Sequence, residues 1–464
     1  MATISRIWAE FAAGLKFENI SDEAIHCAKR FLLDSIGCAI GGSPHEDINI
    51  MRETLDDLGG TPQATIYGET KKTDIVSATL INSLMVRVMD YNDIYWVQDP
   101  SHPSDLIPIA TSVGEVERKS GKDILAAIVL AYELEMRLCE FAVPGIRERG
   151  WHHATLTQFV SPVVASYLMG STVEQTANAI GINGAHNATL GAVAAGKLTM
   201  MKNTVDPMAS STGVFAALLA KRGYAGTEPI FEGKEGICQQ LGEGYDMGKL
   251  TDGLGDSWRI TSCAFKAFPT EALTHSPITA TLALVKEHDI KPENVESVTV
   301  KTIARAADIL ADETKYHPDS KETADHSLPY VVSAAILDHK ITPLQFTPEK
   351  ISDPTLRGLL PKIKVVADPE LEKIFPEKKP TIVEITTTGG RTVSQAVDYP
   401  KGDPRNAMTD EELTEKFDAL TDDAYPPEQK EAVKKMIWEL VAAPTADGLL
   451  EKMAITSPSW SFGG

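Results

Sequence analysis

Cysteine is scarce in this chain, and the five present, Cys27, Cys38, Cys139, Cys238 and Cys263, never pair as CxxC. An odd number in mostly apolar helical context predicts reduced, buried thiols in a cytosolic-type compartment. It also argues against a cysteine-ligated iron–sulfur cluster, which wants closely spaced ligands. Basic charge is short as well: 44 Lys and Arg stand against 65 Asp and Glu, a net charge of −21. A surface that negative repels nucleic acid and anionic membranes, so neither is expected as a partner. It repels a polycarboxylate too, so an anionic substrate needs a local basic pocket. Aromatics, at 6%, are too few for an all-β chain. No uncharged apolar run reaches about 18 residues, so no transmembrane helix is expected. The first residues, MATISRIWAEFAAGLKFENIS, read as an amphipathic helix and not a signal peptide, because no basic segment precedes an apolar core. There is no GxGxxG opening a βαβ unit, no GxxxxGK[ST], no HExxH and no GxSxG. Rossmann hydride transfer, P-loop phosphoryl transfer, zincin chemistry and hydrolase-elbow chemistry lose weight accordingly.

At 464 residues the chain is too long for one hydrophobic core, and two domains are expected. From residue 4 to about 260 the texture is helical. Ser21-Asp22-Glu23 opens a helix that Gly41-Gly42 ends, and Thr73-Asp74 opens another towards Asp90. Further helices are predicted over Lys122–Phe141, Phe159–Leu168, Val173–Ile180 and Ala209–Arg222. After about 265 a period of two appears at Val295–Val300 and Lys362–Val366, and Gly389-Gly390 joins Thr381–Thr388 to Arg391–Val397 as a hairpin. Helices are predicted between these strands, near 271–287 and 323–338, and helical texture returns from Thr409 to about Lys452. The fold class is mainly α with an inserted α/β domain: helical over 1–265 and 405–464, α/β over 266–404. The final Ser457–Gly464 reads as a loose tail.

Asp90 to Asp105 is the densest chemistry in the chain. It carries four carboxylates, His102, two tyrosines and Trp96, with two prolines that keep it from being a helix. It directly follows the mostly apolar run Ile75–Met89. Acid/base side chains on a stiff loop leaving a buried helix suit catalysis; a solvated acidic loop after a helix end fits the composition as well. The adjacent histidines His152 and His153 precede a helix, where a structural role is an equal alternative. Lys202 and Lys266 lie in apolar surroundings, where a lysine can bind an anion or donate a proton, or merely snorkel. A metal site from Asp90, Asp93, Asp99, His102 and His152 fits by ligand type but has no recognisable spacing.

Five segments taken together resemble the MmgE/PrpD family, which contains 2-methylcitrate dehydratase, cis-aconitate decarboxylase and iminodisuccinate epimerase. They are DYND…HPSD (90–105), GWHH (150–153), MKNTVDPMASSTGVFAALLAKRGYAG (201–226), AFKAFPTE (264–271) and ETADHSLPYVVSAAILD (322–338). They fall in the family's order and span nearly the whole chain. The resemblance implies a helical domain with an α/β lid, a cleft site between them, a homodimer, a small di- or tricarboxylate substrate, and neither metal nor organic cofactor. It carries catalytic roles to Asp90, His102, His152, Lys202 and Lys266, and substrate contacts to His153, Glu271 and Tyr316.

Departures narrow the activity. Ile94 stands where decarboxylases of the family have threonine, His102 is displaced by two residues, and Glu271 replaces a histidine. Tyr316 is a candidate for the lid tyrosine. The expected function is a cytoplasmic carbon–oxygen lyase that dehydrates a 2-methylcitrate- or citrate-like tricarboxylate. In it, His102 and His152 act as base and leaving-group acid, Asp90 orients a histidine, and Lys202 and Lys266 clamp a carboxylate. Decarboxylation, epimerisation of a related dicarboxylate, and a non-catalytic carboxylate-binding role are the alternatives.

Overall fold

Capping chemistry sets where the helices begin. Ser21 accepts from the Ala24 N–H ahead of α1 (Asp22–Gly42), and Asp74 accepts from Val76 and Ser77 ahead of α2 (Ile75–Arg87). A short 3-10 turn over Pro103–Leu106 leads into α3 (Ile107–Val116). Ser120 and Asp123 then form a reciprocal capping box on α4 (Gly121–Phe141). Every residue of α4 from Ile124 to Cys139 is buried, so this is a core helix and its Glu133, Glu135 and Arg137 are interior charges. Glu133 and Arg137 pair one turn apart at 2.7 Å.

A computed structural model of the chain describes residues 2–195 and 198–455. Lys197 and the expected tail over Ser457–Gly464 lie outside the described residues. Mainly helical structure with one small sheet unit is what the chain forms.

Two helices start earlier than sequence periodicity places them. α5 (Ala154–Leu168) begins five residues before Phe159 and runs through Pro162. α6 (Met201–Lys221) begins eight residues before Ala209 and runs through Pro207. In α6, Pro207 removes one hydrogen bond and crowds the preceding turn, which favours a start after it, whereas in α5 the polar Thr155, Thr157 and Gln158 mask the apolar periodicity before Phe159. Packing reverses that preference: α6 lies against both α2 and α5, with its Asn203–Pro207 stretch buried. The α5–α6 contact is tight at Gly213. A Cβ there would sit 2.1 Å from Ser161 Oγ, and that hydroxyl donates to the Ala209 carbonyl at 2.7 Å.

The described chain divides into two compact units. One falls within Met1–Gly196, Met200–Cys263 and Thr409–Gly464; the other within Lys197–Thr199 and Ala264–Met408. In the first, the acidic loop forms a tight hairpin, β1 (Tyr95–Trp96) against β2 (Pro100–Ser101). In the second, β3 (Val295–Thr302) is central, parallel to β4 (Ile363–Ala367) and antiparallel to β5 (Thr381–Thr387). β6 (Thr392–Val397) pairs with β5, giving the order β4-β3-β5-β6. Val298, Val300, Val383 and Ile385 are fully buried, as alternation on one covered face requires. α7 (His275–His288) packs on β5 and β6, and α8 (Leu328–Asp338) packs on α7 and β4. α8 starts later than the predicted 323, with Ser327 as its cap and Pro329 in its first turn.

The chain then returns to the first unit as α9 (Asp410–Leu420). Lys416 on α9 pairs with Asp34 of α1 at 2.6 Å and donates to the Tyr91 carbonyl at 2.7 Å, with its ammonium 3.9 Å from the Tyr91 ring centroid. The last helices thus brace the start of the acidic loop from behind.

Gly213→Ala is expected to destabilise the protein by about 1–3 kcal/mol, because neither helix backbone can retreat without repacking. Urea unfolding measures this, and an unchanged midpoint would show that the helices have room at this crossing.

Candidate active site

The acidic loop begins with a reversal. Asp90 takes a left-handed backbone, φ 52°, which aspartate tolerates better than most residues. The turn folds its carboxylate back onto the helix it has just left. Arg87 Nη1 reaches Asp90 Oδ1 at 2.5 Å, and Lys202 Nζ, from the first turn of α6, reaches Oδ2 at 2.9 Å. All three side chains are buried. Arg87 Nε also lies 3.6 Å from Asp105 Oδ2. Burial opposes the Arg87 charge, yet Asp90, Asp105 and Asp206 outweigh it and hold its pKa above the ordinary value. Burial pushes Asp105 well above the usual carboxylate range, with Arg87 pulling the other way.

The rest of the loop is committed to holding His102. Asp93 accepts from the Ser104 hydroxyl at 2.6 Å and the Ser104 N–H at 3.0 Å, and burial pushes its carboxyl up to about 6. Asn92 donates to Ser104 and to Asp105 at 2.9 and 3.1 Å. Asp99 accepts from the Ile146 and Arg147 N–H groups and so caps a neighbouring turn. His102 Nδ1 lies 2.6 Å from the Asp93 carbonyl oxygen. A carbonyl only accepts, so Nδ1 carries the proton and, in the neutral ring, Nε2 carries the lone pair.

His152 has the opposite tautomer. Its Nδ1 accepts from the Ala154 N–H at 3.2 Å, which leaves the proton on Nε2 of the neutral ring. Burial, then His153, Arg147 and Arg87, hold its pKa well below the ordinary value, against the pull of Asp206. The three rings form one cluster. Centroids of His152 and His153 are 3.9 Å apart, and those of His102 and His153 are 5.5 Å apart. His153 Nε2 stands 3.3 Å from Asp206 Oδ2, at ion-pair distance without hydrogen-bond alignment. Burial alone raises the Asp206 pKa, but His153, His152 and Arg87 together hold it below the usual range.

Asp90, His102, His152, His153 and Lys202 therefore lie in one connected, buried set within the first unit. Three further members were not among the sequence candidates. Arg87 is the lone charge within α2, three residues before Asp90, and its isolation in an apolar run was the available signal. Asp206 follows Lys202 by four residues, which puts both on one helix face. Glu135 is an interior acid of α4, also visible as a charge in an apolar stretch.

The remaining sequence candidates belong to the second unit. Lys266 is buried there and donates to the Thr270 carbonyl at 3.1 Å. Glu271 caps a 3-10 turn, accepting from the Leu273 N–H at 2.6 Å. The Tyr316 hydroxyl donates to the Ile363 carbonyl at 3.0 Å.

Against this geometry stand the comparisons with known proteins. The chain matches the MmgE/PrpD N-terminal domain over residues 6–249 and the MmgE/PrpD C-terminal domain over residues 268–440. The chain belongs to the MmgE/PrpD family. Cis-aconitate decarboxylase of Mus musculus is 26% identical over 432 residues, 90% of this chain and 87% of that protein. Mitochondrial 2-methylcitrate dehydratase of Yarrowia lipolytica is 25% identical over 408 residues, 82% of this chain and 77% of its own length. The 2-methylcitrate dehydratase of Salmonella typhimurium is 23% identical over 441 residues, 90% of each chain.

In this family member, His152, His153 and Asp206 are the described residues whose donor atoms group closely enough for a metal, within 4.8 Å of one another. Tetrahedral zinc needs donors roughly 3.3 Å apart, from bonds of about 2.0 Å. Arg87, whose charge already depresses His152 and Asp206, opposes a dication there. The carboxylates of the sequence-suggested metal set are engaged elsewhere: Asp90 by cations, Asp93 by Ser104, Asp99 by a capped turn.

Arg87→Met removes the cation that faces three buried carboxylates. A loss of about 3–5 kcal/mol in urea unfolding at neutral pH is expected. The loss should shrink as pH falls, because the stranded carboxylates then bind protons in the folded state. A loss below about 1 kcal/mol would show that the carboxylates do not depend on Arg87.

Proposed function

We propose that this chain is a lyase that dehydrates a 2-methylcitrate- or citrate-like tricarboxylate with no metal or organic cofactor. The observation that carries the mechanism is the tautomer contrast between His102 and His152. His102, with Nδ1–H spent on the Asp93 carbonyl at 2.6 Å, presents a basic Nε2. It takes the proton α to a substrate carboxylate, and the carbonyl then stabilises the imidazolium that forms. His152, kept neutral, offers Nε2–H to the departing β-hydroxyl. A neutral imidazole donates a hydrogen bond without adding charge to a site already holding Arg87 and Lys202. The C–H electron pair becomes the C=C bond, the C–O bond breaks, and the hydroxyl leaves as water with a proton from the Lys202 ammonium.

Asp90 acts on cations in this scheme. Lying between Arg87 and Lys202, it fixes the lysine, whose ammonium stabilises the enediolate-like state before its proton passes to the leaving hydroxyl. Orienting the base falls to the Asp93 backbone. Lys266 is proposed as a second carboxylate clamp, within a lid domain of the kind the family resemblance implies. A cytoplasmic homodimer without nucleic-acid or membrane partners completes the proposal. Among the described residues no helix is long and apolar enough to cross a membrane.

Support for dehydration over decarboxylation comes from Ile94, which cannot supply the hydroxyl that family decarboxylases place four residues after the aspartate. Glu271, turned to cap its own helix start, likewise offers no imidazole. The similarity to cis-aconitate decarboxylase of Mus musculus keeps decarboxylation as the second reading.

Incubation with 2-methylcitrate, citrate and cis-aconitate in turn separates the two. An α,β-unsaturated acid absorbance from the first or second is expected, without CO2. Release of CO2 from cis-aconitate with no dehydration would replace the reading. His102→Ala should lower kcat by about 100-fold or more, and near-full turnover from a folded variant would remove His102 as the base. Lys266→Ala should act mainly on KM; loss of kcat at unchanged KM would give Lys266 a proton-transfer role instead.

A further inference from the structure

One interior carboxylate of this set bonds both to the acidic loop and to the helix that follows the paired histidines. Glu135, on α4, is completely buried. Its Oε1 accepts from the Ser101 hydroxyl at 2.5 Å and from the Thr157 hydroxyl at 2.8 Å. Ser101 is the residue before His102 on the acidic loop. Thr157 lies in the first turn of α5, directly after His152 and His153. Its hydroxyl also stands 3.3 Å from Asp206 Oδ1. A hydroxyl has one proton, so Glu135 and Asp206 compete for it, and the shorter distance favours Glu135.

We propose that Glu135 is a positioning residue of the reaction: by holding Ser101 and Thr157 on one oxygen, it sets the spacing between the base His102 and the His152–His153 pair. The assignment rests on the functional reading above for the roles of the histidines. The geometry explains an otherwise costly feature. A buried carboxyl whose second oxygen, Oε2, has no hydrogen-bond partner among the described residues is expensive to keep. Burial pushes this one up to about 7, with Asp206 and Asp93 adding to the rise. A hydrophobic residue on α4 would avoid that cost. It would also leave two hydroxyls, on two separate elements, with nothing to hold them at a common distance. The titratable groups facing Glu135 are Asp93 from the loop, Asp206 from α6 and Cys139 one turn further along α4. None of them can replace it, because none reaches both hydroxyls.

The test separates positioning from mere stability. Glu135→Ala should lower kcat by about 10–100-fold while KM changes by less than about threefold, the signature of misplaced reacting groups. Amide hydrogen exchange across residues 95–106 should quicken in the same variant. Glu135→Gln keeps an acceptor oxygen and should recover most of the lost kcat. If Glu135→Ala does not fold, Ser101→Ala and Thr157→Val each remove one of the two bonds, and both should lower kcat at nearly constant KM. A folded Glu135→Ala with kcat within twofold of the parent overturns the proposal. So does Glu135→Gln as impaired as Glu135→Ala, or two hydroxyl variants without effect. Hydrogen exchange needs no substrate. Quickened exchange beside a parent protein inert on every substrate would therefore sink the functional reading and leave the clamp standing.

Discussion

Everything at this site depends on neutralising buried charge. Asp90 is held between Arg87 and Lys202, and Arg87 is shared with Asp105 under the influence of Asp206. Each group alone would be intolerable in the interior; together they offset one another. The arrangement also joins three elements. Arg87 is the last residue of α2, Lys202 and Asp206 come from α6, and Asp90 and Asp105 bracket the loop. The fold therefore cannot relax the loop without stranding a charge. That constraint accounts for the left-handed Asp90 and for α6 starting early enough to bring Lys202 into its first turn.

Around that charged centre the histidines are differentiated by backbone contacts, not by their own type. A carbonyl at Nδ1 leaves the lone pair of the neutral His102 ring on Nε2, and an amide N–H at Nδ1 leaves the proton of the neutral His152 ring on Nε2. Burial, then His153 and the adjacent cations Arg147 and Arg87, hold the His152 pKa well below the ordinary value. Two identical side chains thus hold opposite tautomers because the loop folds the Asp93 carbonyl onto His102, while the start of α5 points the Ala154 N–H at His152. Family membership places this pattern among proteins named as dehydratases and decarboxylases.

Much of this was legible in the residues, and the gaps have definite causes. Capping residues and periodicity located α1, α2 and α4, and alternation located the strands of the small sheet. The start of α6 was placed too late because Pro207 carries a local penalty that only tertiary packing overrides, and that of α5 because Thr155, Thr157 and Gln158 are polar residues that only the tertiary structure buries. Motif reading found Asp90, His102, His152, His153 and Lys202, since their types announce acid/base work. It passed over Arg87, Asp206 and Glu135. Beyond the short spacings of Arg87 to Asp90 and Lys202 to Asp206, they pair with residues on other elements, and those pairings leave no pattern in the chain.

By itself, then, the sequence determined the class of structure, the family and a set of candidate acid/base side chains, because those follow from local pattern and residue type. Only the tertiary structure decided which nitrogen of each imidazole carries the proton, which cations hold Asp90, and that Glu135 binds the hydroxyls beside both histidine segments. Protonation state and partner choice depend on distances of a few ångströms between elements far apart in the chain. Burial then makes each such distance matter, since in the interior an unmatched charge has no water to fall back on.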